Sequence, residues 1–148
     1  MSPVGHPFSV LVRPYSNGDE GIVVANWARQ IRRLDPFSAM SPEAFRRHVH
    51  QVVVPLLSRA PTVMACCPEE PSQVYGFICG ETSGDEQVLH FLYVRSTWRR
   101  GGVATTLLRF LFPALGNQLL WFTYPARAAR YHSERWRLSF NPYMAVLP

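Results

Sequence analysis

Apolar and polar positions alternate along this chain with a period that changes several times. "FSVLVRPY" (8–15) reads as a short strand with Val10 and Val12 on one face. Over residues 19–34, "DEGIVVANWARQIRRL", the period becomes helical: Val23, Trp27, Ile31 and Leu34 form a stripe, and Arg29, Arg32 and Arg33 are placed to face water. Asp19 and Glu20 stand at the positive end of that helix, where acidic side chains are stabilising. "SPEAF" announces a second helix, with Ser41 as cap, Pro42 in the first turn and Glu43 behind it. Its stripe is Phe45, Val49, Val52, Val53 and Leu56, and Pro55 is expected to kink it.

Beyond that helix the period shortens. "PTVMACC" and "QVYGFICGE" are apolar runs parted by the turn-like "PEEPS", the pattern of a hairpin. "TSGDEQ" is a further turn, and "VLHFLYV" (88–94) is apolar on both faces, as a central strand would be. A helix is expected from about Gly102, with Val103, Leu107 and Leu111 on one side. "QLLWFTY" reads as a strand, "PARAARYHSERW" as a short helix and "LSFNPYMAV" as a last strand. The order β-α-α-β-β-β-α-β-α-β describes a mixed α/β fold, expected to be a single domain over residues 1–148.

Composition narrows the picture. A chain of 148 residues with 47% hydrophobic content supports one domain with a real core. No run approaches the ~18 apolar residues that span a bilayer, and "MSPVGHPFSV" lacks a signal-peptide pattern. Three cysteines, two adjacent (Cys66 and Cys67), make a poor disulfide framework, so a reduced cytoplasmic setting is expected. Cys66 and Cys67 read as packing residues, since no base partner for a nucleophile can be named. The histidines are scattered and no CxxC pair is present, which argues against a metal site. All fifteen basic residues are arginine and the formal charge is +5. Arginine suits bidentate recognition of phosphate and carboxylate, although a GC-rich genome produces the same bias.

The chemistry concentrates at "RSTWRRGGVATTLLRF" (95–110). A helix opening straight after a central strand aims its free N–H groups and positive dipole end at one spot. Gly101 and Gly102 remove side chains from that approach, and Arg99 and Arg100 add charged donors. The stretch therefore reads as a phosphate cradle. An ordinary loop with a solvated basic flank is the plainer alternative.

"LHFLYVRSTWRRGGVATTLL" resembles the acyl-CoA signature of the GNAT (GCN5-related N-acetyltransferase) superfamily, a strand, an R/Q-x-x-G-x-G/A loop and a helix, filled here by Arg99, Gly102 and Ala104. The element order is similar over nearly the whole chain. The resemblance implies a mostly antiparallel twisted sheet flanked by helices, with acetyl-CoA as co-substrate. It implies that backbone from Arg99, Arg100, Gly101, Gly102, Val103 and Ala104 holds the pyrophosphate, and that the edge at Leu92, Tyr93 and Val94 pairs with the pantetheine arm. "NWARQIRR", "VYGFI", "LHFLYV" and "FNPYM" are also similar to small GNAT-like proteins of tailed phages, some tied to DNA-base modification, which would place the protein in a host cytoplasm.

Acetyl transfer needs a neutral amine, a polarised thioester carbonyl and a proton for the departing thiolate. Glu81 and His90 are the candidate bases beside the central strands. Alternation puts Glu81 on a face with Cys79, Phe77 and Tyr75, and His90 with Val88, Leu92 and Val94. Each also has a plain reading, Glu81 as a solvated turn residue and His90 as a bonded core residue. The resemblance offers Tyr131, in "ARAARYHSE", as general acid, with a packing tyrosine as the alternative. Asn26 and Trp27, then Asn141, Pro142 and Tyr143, would border the acceptor side, although Trp27 also sits squarely on its helix stripe. Arg127, Arg130, Arg135 and Arg137, with Tyr131 and Trp136 interleaved, have the composition of a nucleic-acid surface or of a solvated helix face. Three readings follow: an acyltransferase taking acetyl-CoA and an amine acceptor by direct transfer, a DNA-modification protein acting on a base or base-attached amine, and a non-catalytic binding domain. The sequence leaves the oligomeric state open.

Overall fold

The computed structural model describes residues 9–99, 101–125 and 136–145. Six strands form one sheet in chain order: β1 (Leu11–Pro14), β2 (Thr62–Cys66), β3 (Val74–Ser83), β4 (Glu86–Val94), β5 (Leu120–Phe122) and β6 (Leu138–Phe140). The first four pair antiparallel, whereas β5 runs parallel to β4 and β6 parallel to β5. The return from β4 to a parallel neighbour requires a crossover. Helix α4 (Val103–Leu111) supplies it.

The sheet separates two apolar layers. One holds α1 (Glu20–Ile31) and the long helical arm α2 (Pro42–His48) and α3 (Val54–Arg59), which a π-helical turn at Val49–Val53 joins. Val23, Trp27 and Ile31 of α1 are fully buried there against Met64, Phe77 and Phe91. The other layer packs Val103, Leu107 and Leu108 of α4 on Ala65, Ile78, Leu89 and Leu92. Trp27 stacks on Phe91 at 4.9 Å between centroids, and truncating so large a buried ring costs about 3–5 kcal/mol.

Local chemistry accounts for the helix ends. Ser41 Oγ accepts from Ala44 N at 3.1 Å, so the α2 cap forms where expected. Asp19 forms a capping box with Ser16 and a bidentate pair with Arg13 of β1 at 2.7 and 2.8 Å, locking the first strand to the first helix. Pro55 has no N–H to donate and its ring would press on the preceding turn. The turn before it is the wider π form, the local adjustment that replaces a simple kink. Arg32 is only partly exposed. It donates to Phe37 O and Met40 O and lies over the Phe45 ring, clipping the α1–α2 connection shut.

Two register shifts alter the expected alternation. Between Ala65 and Cys66 the pairing moves from Gly76 to Val74, leaving Tyr75 extra, so Tyr75 joins the α4 layer and not the face of Phe77, Cys79 and Glu81. Cys79 pairs with Phe91 but Gly80 with Leu89, so His90 is the extra residue of a bulge in β4. Leu89, Leu92 and Val94 stay in the α4 layer while His90 turns to Glu81, away from the Leu92 and Val94 face that alternation assigns it. Gly76 lets β3 and β4 run close, since a Cβ there would meet the carbonyl oxygen of Tyr93. The last strand is shorter than expected: it stops at Phe140, Pro142 has no N–H for the ladder, and a 3-10 turn takes Pro142–Ala145. The helix expected over "PARAARYHSERW" lies almost entirely outside the described residues. Among the described residues no helix is long and apolar enough to cross a membrane.

Candidate active site

β4 has a neighbour along its whole length on one side only. β3 pairs with it from Glu86 to Val94, but β5 pairs only with Gln87, Val88 and Leu89. The last link across is Thr123 N to Leu89 O at 3.0 Å. From His90 to Val94 the two parallel strands part, and among the described residues no strand fills the wedge. Leu92, Tyr93 and Val94, expected to pair with an extended ligand, therefore lie along an open strand edge.

At the wide end of the wedge sits the arginine- and glycine-rich loop. Ser96–Trp98 make a 3-10 turn, and the Trp98 ring stacks on Tyr75 at 4.0 Å, anchoring the loop to β3. Arg99 is exposed, and its Nε donates to Val94 O at 3.0 Å, tying the guanidinium to the strand end. Gly102 is the N-cap of α4 with φ +84°, a left-handed conformation that favours glycine, and among the described residues no side chain caps the helix. A Cβ there would meet nothing within 4 Å. Val103 is buried and Ala104 partly buried, so this turn offers backbone N–H groups to open space while its apolar side is anchored. Gly101 lies beside it, and Arg100 lies outside the described residues.

The narrow end is polar and nearly closed. The bulge brings His90, 1% exposed, against two partners: Nε2 lies 2.5 Å from Glu81 Oε2 and Nδ1 3.0 Å from Thr123 Oγ1. Glu81 Oε1 accepts from Arg59 NH1 at 2.7 Å, so α3, β3, β4 and the residue just after β5 each contribute one member of a four-residue chain. Glu81 keeps about 16% of its side chain exposed and is the solvent outlet of that chain. Burial holds the His90 imidazole below its ordinary value of 6.5, outweighing the Glu81 bond, and the Arg59 charge pulls the same way. His90 is thus neutral near pH 7. A neutral ring that faces a carboxylate at Nε2 carries its proton there, which leaves Nδ1 to accept from the Thr123 hydroxyl. Thr123 and Arg59 have no signal in the sequence alone, because neither shares a local motif with Glu81 or His90.

A second polar contact lies just past β5. Tyr124 follows Thr123, and its hydroxyl sits 2.7 Å from His48 Nε2 on α2. Phe37 stacks on the Tyr124 ring and Trp27 meets it edge-on, so the connection between α1 and α2 roofs this spot with aromatic rings. Burial raises the Tyr124 hydroxyl well above 10 and lowers His48 below 6.5. Sequence reading passed over both residues. The usable signal was a tyrosine at the end of a predicted strand, seven positions before the chosen Tyr131.

The other expected residues scatter. Tyr131 lies outside the described residues, as do Arg127, Arg130 and Arg135. Trp27 is fully buried in the core, with no surface turned to an acceptor. Asn26 is partly buried; its side chain donates to Ile22 O and accepts from Arg29. Asn141 N donates to Phe122 O, its side chain accepts from Tyr143 N, and Tyr143 is 77% exposed beside the end of β6. Cys66 and Cys79 are buried and Cys67 is partly buried, with its thiol donating to Glu69. Among the described residues no group of three or more potential ligands is placed to hold a metal ion.

No protein-family model matches the sequence, and no curated protein matches it. Similarity appears in three dimensions. A GCN5-related N-acetyltransferase from Rhodopseudomonas palustris, also named as a class-II aminotransferase, is 22% identical, covers 88% of this chain and 84% of its own, and superposes with a TM-score of 0.56. An integron cassette protein from the mobile metagenome of V. cholerae is 17% identical over 86% of this chain and 85% of its own, with a TM-score of 0.52. The agreement is one of architecture, a six-stranded, mostly antiparallel sheet flanked by helices: this chain has the fold of the GCN5-related N-acetyltransferases.

Proposed function

We propose that the protein is an acetyl-CoA-dependent N-acyltransferase, one domain over residues 1–148, moving the acetyl group to an amine in a ternary complex. The observation that carries this reading is the wedge, with an uncapped helix start and exposed Arg99 at its wide end and the Glu81–His90 pair at its apex. An extended thioester fits a strand edge that lacks a partner: its amides replace the missing ladder along Leu92 to Val94 while its pyrophosphate meets the N–H groups of Gly102 to Ala104. That arrangement leaves the thioester carbonyl near the bulge, where the chain loses its regular pairing.

The amine arrives as an ammonium ion and must lose a proton before it attacks. A neutral, buried imidazole backed by a carboxylate is suited to take it, because the imidazolium that forms is stabilised by Glu81. Tyr131 stays the proposed proton donor to the thiolate. Asn26, Asn141 and Tyr143 stay proposed for the acceptor side.

The DNA-directed alternative keeps its arginine-rich composition as support, with Arg137 the one arginine of that cluster among the described residues. Calorimetry with acetyl-CoA, followed by thiol release against panels of small amines and of modified DNA, tests both readings. Micromolar acetyl-CoA binding with turnover on a free amine supports the first. Turnover only on DNA, weakening steeply with salt, supports the second. No acetyl-CoA binding overturns both enzymatic readings and leaves a binding domain.

A further inference from the structure

We propose that Arg59 selects the acceptor, and that the acceptor class is the free α-amino acid, held with its carboxylate on Arg59 and its amine beside Glu81. The proposal deepens the acyltransferase reading and rests on it. His90 and Thr123 are 1% and 3% exposed, so neither presents an atom to an arriving molecule. The outer half of the chain does: the Glu81 side chain is 16% exposed and that of Arg59 40%. An acceptor that reaches the apex from solvent therefore meets a carboxylate and a guanidinium side by side, 2.7 Å apart.

A second contact sets Arg59 at the expected acceptor border. Its NH2 donates to Ala145 O at 3.4 Å, which joins the end of α3 to the turn Pro142–Ala145. Tyr143 belongs to that turn and Asn141 precedes it, the two residues expected from the sequence to border the acceptor. One guanidinium thus bridges that turn and the Glu81–His90 pair. The two bonds use two of its five N–H groups, and among the described residues the other three have no partner. A carboxylate can accept from two of them at once, the geometry that arginine favours.

Charge and spacing choose the class. Glu81 and Arg59 cancel, and with His90 neutral no third charged side chain among the described residues bonds to either. A lone ammonium on the remaining lone pairs of Glu81 would lie about 5 Å from the guanidinium, where like charges repel. A zwitterion adds no net charge and gives each of its groups an opposite partner. An α-amino acid carries amine and carboxylate on one carbon, which suits two receiving groups already in contact. Diamines, the amines of DNA bases and the N-terminus of a peptide lack a carboxylate at that position. An amine beside Glu81 stands one imidazole away from the bulge, where the acyltransferase reading sets the thioester carbonyl.

Calorimetry of the CoA-loaded protein with each of the protein amino acids and its carboxamide tests the selection, followed by thiol release from acetyl-CoA. At least one amino acid should bind, and should exceed its carboxamide by about 10²-fold in kcat/KM, mostly through KM. Arg59→Met should bring that ratio close to one. Arg59→Lys should keep part of it, because a point charge attracts a carboxylate without the paired donors. A guanidinium that only braces the Pro142–Ala145 turn would lower the melting temperature on removal and leave the ratio unmoved, which overturns the proposal. A wild type that treats acid and carboxamide alike, or that prefers diamines or DNA, overturns it as well. Should Arg59→Met fail to fold, the wild-type ratio and its change in Arg59→Lys decide. Acetyl-CoA binding without amino-acid binding overturns this proposal alone, whereas absence of acetyl-CoA binding removes the acyltransferase reading itself.

Discussion

The two ends of β4 handle polarity in opposite ways. At Val94 the strand runs into exposed arginine, a left-handed glycine and helix N–H groups without a side-chain cap. At His90 a polar chain runs inward from exposed Arg59 through partly buried Glu81 to His90 and Thr123, which are buried. An anion can be held by donors in open water, because backbone N–H groups and guanidinium need no help to stay polar. A proton acceptor has to be set in its neutral form, and burial does that. The wide end should therefore respond to shape and charge at single positions. The apex should respond to the loss of any one partner.

The largest effect should come from filling the open end. Gly102→Glu places a carboxylate where the pyrophosphate would lie and forces a side chain onto φ +84°. Calorimetry should find no acetyl-CoA binding, while circular dichroism still shows a folded, somewhat less stable protein. Retained affinity in that variant would mean that the loop is not the cradle. Next in size is Glu81→Gln at the apex, which keeps the shape and removes the charge that supports imidazolium. The chemical step should slow by ~10²–10⁴-fold with little change in acetyl-CoA Kd. An equal loss of affinity would erase the contrast between the ends.

Arg99→Ala should act more mildly. Its guanidinium is one donor among several backbone N–H groups, so affinity should fall by about 1–3 kcal/mol, or 5- to 150-fold, with kcat nearly unchanged. An unchanged Kd would reduce Arg99 to a brace for Val94 O. The smallest effect concerns pH. His48 and His90 are both held below 6.5 in the folded state. Well above 6.5 both are neutral folded or unfolded and contribute no pH dependence. As pH falls below 6.5 the unfolded chain gains protons that the folded one refuses, and stability drops by at most about 1.4 kcal/mol per pH unit for each group. The melting temperature should decline from pH 7 to pH 5, and His48→Phe should flatten that decline. An unaltered slope would show that His48 titrates alike in both states.

Much of this was legible from residue order. The helical stripe of Val23, Trp27 and Ile31, the Ser41 cap, the hairpin of β2 and β3, and the central position of "VLHFLYV" all follow from short-range patterns that the structure repeats. The glycine loop before α4 was equally plain, since strand, turn and helix succeed one another in the chain. Glu81 and His90 were found as separate candidates, each with a plain alternative.

What the sequence by itself determined is the set of elements, their caps and the loop at the wide end, because each depends on neighbours within a few residues. Only the tertiary structure decided the apex. A bulge is a difference in count between two paired strands, and no single strand records it. The one at His90 turned the ring to Glu81 and broke the alternation that would have kept it with Leu92 and Val94. Arg59 and Thr123 stand 22 and 33 positions from the residues they bond, a separation that only packing closes. Proton affinity at the site likewise depends on burial, which a residue acquires only when the sheet and its helices meet.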